Sequence, residues 1–275
     1  MAVNLATKYQ KAIDQVFALG SLTKVGFAGK FDFTGSDTVK VYTLTTQALT
    51  DYSRTGANRY GTPDEVQDTV ATYTLSKDRS FSSTIDKGNY IQGNLVKTTG
   101  AYIKAEMNEQ VIPELDTYNM TVLTATAVSA SQDVTTVVTE SNAFETLMDA
   151  NIALDESKVP ANGRICFATP TYHKFLRLDD NFIKTSDMSQ KIMIKGMVGE
   201  ADGAKIIKIP TSYFPANTNF ILTHPKANVN PQQLSELKTH KDPPGISGAL
   251  IEGRYIYDAF SFLQKIKATY RSKSA

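Results

Sequence analysis

Val111-Ile112-Pro113-Glu114-Leu115-Asp116-Thr117-Tyr118 lies inside a longer stretch, from about Leu95 to Thr126, that reads as one helix. Val96, Gly100, Ile103, Met107, Val111, Leu115, Tyr118, Val122 and Ala125 recur at steps of three or four, so they line one helical face. Pro113 falls off that stripe, which lets the helix bend at the proline without interrupting the face. At about 1.5 Å per residue, a helix of this length crosses a small domain and serves as a spine. A single apolar stripe requires a surface to lie against, and Ile103, Met107, Val111, Leu115 and Tyr118 are its expected core.

Working outward toward the N-terminus, Phe81, Ser83 and Ile85 alternate with polar residues, as do Ala71, Tyr73 and Leu75. The two runs flank Ser76–Ser80 and predict a β-hairpin over Val70 to Ile85 with a charged tip of Lys77, Asp78 and Arg79. Thr and Ser dominate both faces. A two-stranded ribbon with so little to bury is marginal in water, so the hairpin is expected to lean on another molecule. Before it, Tyr52 to Glu65 is Gly-, Asn- and Pro-containing, carries Arg54, Arg59 and Tyr60, and reads as a long loop. Thr38 to Leu44 alternates as a strand, and Leu5, Tyr9, Ile13, Val16 and Phe17 have the spacing of a short amphipathic helix ending at Gly20.

Beyond the spine, Ser141 can cap a helix with the stripe Phe144, Leu147, Met148 and Ile152. Arg164 to Ala168 reads as a buried strand, and Thr169-Pro170 opens a helix through Leu178. Apolar runs at Ala204–Ile209 and Asn219–Thr223 follow. Elements alternating in this way describe a compact α/β lobe. Ala249 to Phe262 resumes strand character, turns near Gln264 and runs back through Ile266 to Tyr270.

The totals exclude several classes of function. The chain has 275 residues, 29 Lys plus Arg against 28 Asp plus Glu, and a formal charge of +1, so no global field marks a sequence-reading nucleic-acid binder or a membrane-surface protein. The first residues lack a signal-peptide core, and the expectation is folding in a cytoplasm. Cys166 sits in an apolar run and reads as a small buried hydrophobe. His173, His224 and His240 are scattered, outside any metal-ligand spacing. The glycines from Gly196 to Gly203 lack the spacing of a phosphate loop, and Gly245-Ile246-Ser247-Gly248 lacks that of a nucleophile elbow. The residues therefore predict no catalytic, cofactor-binding or metal site, and no enzyme.

Taken in order, several blocks resemble one family. Leu5-Ala6-Thr7-Lys8-Tyr9, Asn58-Arg59-Tyr60-Gly61-Thr62-Pro63-Asp64-Glu65, Phe81-Ser82-Ser83-Thr84-Ile85-Asp86-Lys87-Gly88-Asn89, the spine octet, Ala168-Thr169-Pro170, and Gly253-Arg254-Tyr255-Ile256-Tyr257-Asp258-Ala259-Phe260 together resemble the major capsid proteins of tailed bacteriophages, in a lineage common among phages of Gram-positive bacteria. The resemblance spans nearly the whole chain.

It implies an α+β shell fold shared by tailed phages and herpesviruses. The expected parts are an N-terminal arm (1–30), an extended β-hairpin loop (31–92), a peripheral domain with the spine helix (93–137), an axial α/β domain (138–228), and a return segment with the C-terminal strands of the peripheral domain (229–275). It further implies hexamers and pentamers closing an icosahedral head around double-stranded DNA that is contacted non-specifically. A separate scaffolding protein and a portal protein are implied partners, while the binding of a decoration protein stays open. There is no membrane partner, no maturation cleavage, and the place of action is the virion, assembled in the bacterial host cytoplasm. Arg54, Arg59, Tyr60, Lys77, Asp78 and Arg79 are the expected contacts with neighbouring subunits. Lys77 and Lys87 read as solvated lysines rather than partners in the lysine–asparagine cross-link that some members form. Two alternatives stand beside this one: a protein-only compartment of the same fold that encloses cargo enzymes, and a small-molecule-binding or enzymatic α/β protein centred on 138–228.

Overall fold

Alternating Val39, Val41 and Thr43 do form a strand, β1 (Thr38–Leu44), and its partner is β2 (Asp68–Thr74), antiparallel from Thr38↔Thr74 to Leu44↔Asp68. The computed structural model describes residues 20–28, 38–88, 99–179 and 199–274. The amphipathic segment from Leu5 to Phe17, the helix start at Leu95 and Val96, and the first three residues of the Gly196–Gly203 run lie outside these. The hairpin expected over Val70 to Ile85 does not form. The second run is β3 (Lys77–Asp86), and its partner is a strand near the other end of the chain. Local pairing is the default reading of two adjacent alternating runs, but β2 already has a ladder with β1, and two residues carry the chain from one sheet into the next.

The spine is one helical rod in three parts: α1 (Thr99–Glu106), a π-helical turn (Met107–Val111) and α2 (Ile112–Ser129). Pro113 accounts for the π turn. It has no N–H to donate to the carbonyl four residues back and its ring crowds that carbonyl, so a wider preceding turn relieves the clash. One extra residue enters the helix there, and the face turned inward moves by one position. Along α2 the buried residues include Asp116, Asn119, Met120, Leu123 and Ala127, whereas Val122 is half-buried and Ala125 exposed. Ile103, Met107, Val111, Leu115 and Tyr118, the expected core, are all half-buried. Met107 accepts from the Tyr255 hydroxyl, Tyr118 meets Tyr257 edge-on, and Val111 and Leu115 line a cleft with the same two tyrosines, which belong to the smaller of the two main sheets; the deeper face serves the larger.

That larger sheet holds β4 (Asp133–Thr135), β5 (Arg164–Ala168), β6 (Glu200–Ala201), β7 (Ala204–Lys208), β8 (Thr218–Thr223) and β13 (Thr269–Lys273), in the order β4-β13-β8-β5-β7-β6. Every residue of β5 is buried, which requires cover on both faces. Ile165, Phe167 and Ile221 pack with Met120 and Leu123 of α2, while Cys166, Ala168, Phe220 and Leu222 point the other way. There they meet α3 (Ala143–Glu156) and α4 (Pro170–Leu178). Thr169 caps α4 through its hydroxyl, which accepts from the Tyr172 amide at 3.3 Å, as the sequence predicts.

The α3 stripe differs from expectation. Asn142 stands at the cap, Leu147 is buried with Ala143, Ala150 and Leu154, and Met148 and Ile152 are 40% and 55% exposed. Small alanines carry the packed face because α3 lies close to the sheet, and the larger Met148 and Ile152 fall outside it. Buried Arg164 ties this lobe together. Its guanidinium donates to Asn151 Oδ1 at 2.9 Å, to Asp155 Oδ1 at 2.5 Å, and to the Val159 and Pro160 carbonyls at 2.7 and 3.1 Å, which fixes the turn after α3.

The smaller sheet runs β10 (Gln232–Lys241), β11 (Gly248–Tyr257), β3, all antiparallel. Gly253 stands opposite Phe81, and a Cβ there would lie 2.3 Å from the Phe81 ring, so glycine is what lets the ring lie across the strand. Short strands β9 (Asn228–Val229) and β12 (Phe260–Ser261) pair nearby. The segment expected to complete the peripheral sheet therefore divides: β10 and β11 join β3, while β13 enters the larger sheet between β4 and β8.

Candidate intersubunit surface

None of the described residues 38–88 is buried. On the β1–β2 hairpin and its loop, Tyr42, Leu44, Leu49, Tyr52, Tyr60, Val66 and Val70 are exposed, Leu49 and Tyr60 at 102% and 87%. Single exposed apolar residues need no explanation, but seven on one projecting ribbon without a core of its own do. Arg54, Arg59 and Tyr60 all sit in this loop. Arg59 donates to the Gly56 carbonyl at 3.3 Å, and Tyr60 meets Tyr52 edge-on at 4.9 Å between centroids.

The base of the hairpin is anchored firmly. The Tyr73 ring stacks on Phe260 at 4.5 Å, and its hydroxyl accepts from the Leu263 amide at 3.0 Å. Asp258, itself buried, accepts from the Ser76 amide at 2.8 Å, the Tyr118 hydroxyl at 2.7 Å and the Ala259 amide at 2.7 Å. One carboxylate thus joins the hairpin's exit, the spine helix and the end of β11. Burial, assisted by this carboxylate and opposed by a hydrogen bond with Ser76, pushes the Tyr118 phenol up.

Lys77, Asp78 and Arg79 are not a hairpin tip. Asp78 takes Arg254 on both oxygens, at 3.0 and 2.6 Å, and that guanidinium holds its carboxyl below the usual range. Arg79 pairs with Glu114 of the spine at 2.7 Å, Tyr257 donates to the same Glu114 oxygen at 3.1 Å, and Lys77 Nζ lies 5.0 Å above the Tyr118 ring. These three side chains hold β3, β11 and the spine together within the chain. The structure brings them near one another and leaves Arg54, Arg59 and Tyr60 apart on the loop.

A second anchor had no sequence signal beyond one acidic residue in an apolar face. Asp116 is fully buried and accepts from the Ser21 hydroxyl at 2.8 Å, the Leu22 amide at 2.9 Å and the Thr23 hydroxyl at 2.6 Å, while Asn119 donates to Thr23 at 2.8 Å. The segment 20–28 is pinned to α2 at this point.

Among the described residues no group of His, Cys, Asp and Glu could hold a metal ion, and no helix is long and apolar enough to cross a membrane. Burial pushes the Cys166 thiol far up, which removes it as a nucleophile.

No protein-family pattern and no curated protein matches the chain. Solved structures do. A structure from Mycobacterium phage Che8 superposes with a TM-score of 0.75 at 15% identity, over 98% of this chain and 96% of that one. The capsid structure of cyanophage P-SCSP1u gives 0.78 at 11% identity, over 98% and 93%. The mature capsid of bacteriophage PhiM1 gives 0.73 at 12%, over 99% and 92%. Identities this low speak to architecture, and by architecture this chain has the mixed helix-and-sheet fold of the proteins in those phage capsid structures.

Proposed function

We propose that this chain is the repeating subunit of a tailed-phage head, in which copies arranged as hexamers and pentamers close an icosahedral shell around double-stranded DNA. The observation that carries the reading is the β1–β2 hairpin: a ribbon anchored at its base, half-buried on one face and exposed on the other, with seven large apolar residues that no described residue buries. Such a ribbon is stable when a neighbouring copy supplies the missing side. The likeness in fold to phage capsid structures supports the same reading. With a formal charge of +1 the subunit contacts packaged DNA through few phosphates and without sequence preference. Scaffolding and portal proteins are separate partners, and the shell is assembled in the host cytoplasm to become the virion's coat.

Electron microscopy of the chain expressed with and without the neighbouring phage genes tests this. Closed particles of uniform diameter are expected. A monomer that never assembles in either setting overturns the reading, and particles from infected cells that hold protein cargo and no DNA replace it with the compartment alternative.

A further inference from the structure

A pocket of about 330 Å³ opens where three turns meet: the one that Arg164 fixes after α3, and the two 3-10 turns at Pro225–Ala227 and Leu263–Ala268. Its lining is largely apolar, with Val159 and Ala268 among it, and its rim carries Lys158, Lys226, Lys265 and Lys267. Among the described residues no carboxylate lines it and none of the four lysines makes an ion pair. Lys265 donates to the Lys226 carbonyl at 3.4 Å and lies 4.9 Å above the Phe262 ring, which holds its ammonium beside the pocket. In a chain whose total is +1, this is a concentrated positive field. His224, at the edge, feels it: burial first, then Lys226, Arg164 and Lys265, hold its imidazole below the ordinary value.

The complementary ligand is an apolar side chain flanked by carboxylates. The hairpin carries one. In Asp64-Glu65-Val66-Gln67-Asp68, Val66 is 72% exposed, and among the described residues none of the three acids has an ion-pair partner. The chain's own pocket is out of reach. It adjoins the hairpin's base, where Leu263 bonds Tyr73, while Asp68 stands at the far end of the ladder opposite Leu44, about 20 Å away at the rise of an antiparallel strand.

We infer that the Asp64–Asp68 segment of one copy seats in the lysine-rimmed pocket of a second copy, with Val66 entering the apolar floor. The inference rests on the shell reading above and names the partner surface for its hairpin. Two reversals test it, Lys265→Glu with Lys267→Glu, and Asp64→Lys with Glu65→Lys. Each is expected to cut the yield of closed particles about tenfold, because it puts like charges across every contact, and to leave subunit melting unchanged. The chain carrying all four changes regains particles. Normal yield from either reversal, or a fourfold variant no better than the pairs, overturns the contact. An independent check is Val66→Cys with Lys158→Cys, treated as particles with a short bis-maleimide, since Cys166 is buried. A ladder of linked chains is expected, and monomer bands alone overturn the contact. Failure of the unaltered chain to form particles counts instead against the shell reading, and removes this contact with it.

Discussion

Asp116→Ala removes the acceptor that pins the 20–28 segment to the spine. Three donors lose their partner, and they are not equivalent: the Ser21 hydroxyl lies at the surface and recovers water, but the Leu22 amide and the fully buried Thr23 hydroxyl do not. A hydrogen bond to a charged group contributes about 1.5–3 kcal/mol, so two such losses come to roughly 3–5 kcal/mol once partial relaxation is allowed. In a chain of this size about 2–4 °C of melting temperature accompanies each kcal/mol, which places the expected drop at roughly 10 °C. Asp116→Asn keeps one acceptor and should fall about midway. Thermal unfolding by circular dichroism gives the first readout. Trypsin cleavage after the exposed Lys24 gives the second, because a segment that detaches locally is cut before the core melts. An Asp116→Ala subunit that melts within about 1 °C of the unaltered chain and stays uncut at Lys24 would refute the anchor.

Three further outcomes are expected. Gly26→Ala places a methyl 2.7 Å from the buried Phe167 ring, and calorimetry should show a loss of about 1–3 kcal/mol from overpacking. Replacing Ser76 to Ser80 with glycines breaks the start of β3 and should lower subunit melting clearly, whereas Arg79→Glu, at an exposed ion pair with Glu114, should change it by less than about 1 kcal/mol; equal effects would mean β3 is not part of the subunit's own sheet. Burial and nearby cations hold His173 and His224 below the ordinary 6.5, so the unfolded chain takes up their protons first. Stability should therefore fall as pH drops below 6.5, and His173→Gln with His224→Gln should flatten that slope in denaturant titrations across the range.

Much of the fold was legible where one local rule decided it. β5 is a short apolar run bounded by turn residues, α4 opens on Thr-Pro, and β1 alternates cleanly; all three stand where the sequence puts them. What escaped depended on distant partners. β10 is polar on nearly every position because it lies at the edge of a thin sheet, so no periodicity announces it. The pairing of β3 with β11 joins residues about 170 apart in the chain, and no pattern in either strand names the other. The spine's stripe was visible, but its phase beyond Pro113 depends on a π turn that propensity does not register. Of the candidate contact residues, Arg54, Arg59 and Tyr60 were legible as loop residues from the glycines and asparagine around them. Lys77, Asp78 and Arg79 were misplaced because their partners, Tyr118, Arg254 and Glu114, come from other elements.

The position of β13 sets a clock. It lies inside the larger sheet with β4 on one side and β8 on the other, yet the ribosome makes it after both. Until residues 269–273 emerge, β4 has no neighbour in that sheet and the flank of β8 is open. A nascent chain is thus barred from reaching its finished form early. The larger sheet closes only once synthesis has passed this strand, and a chain stopped before it is left with β8 open along one edge and β4 unpaired.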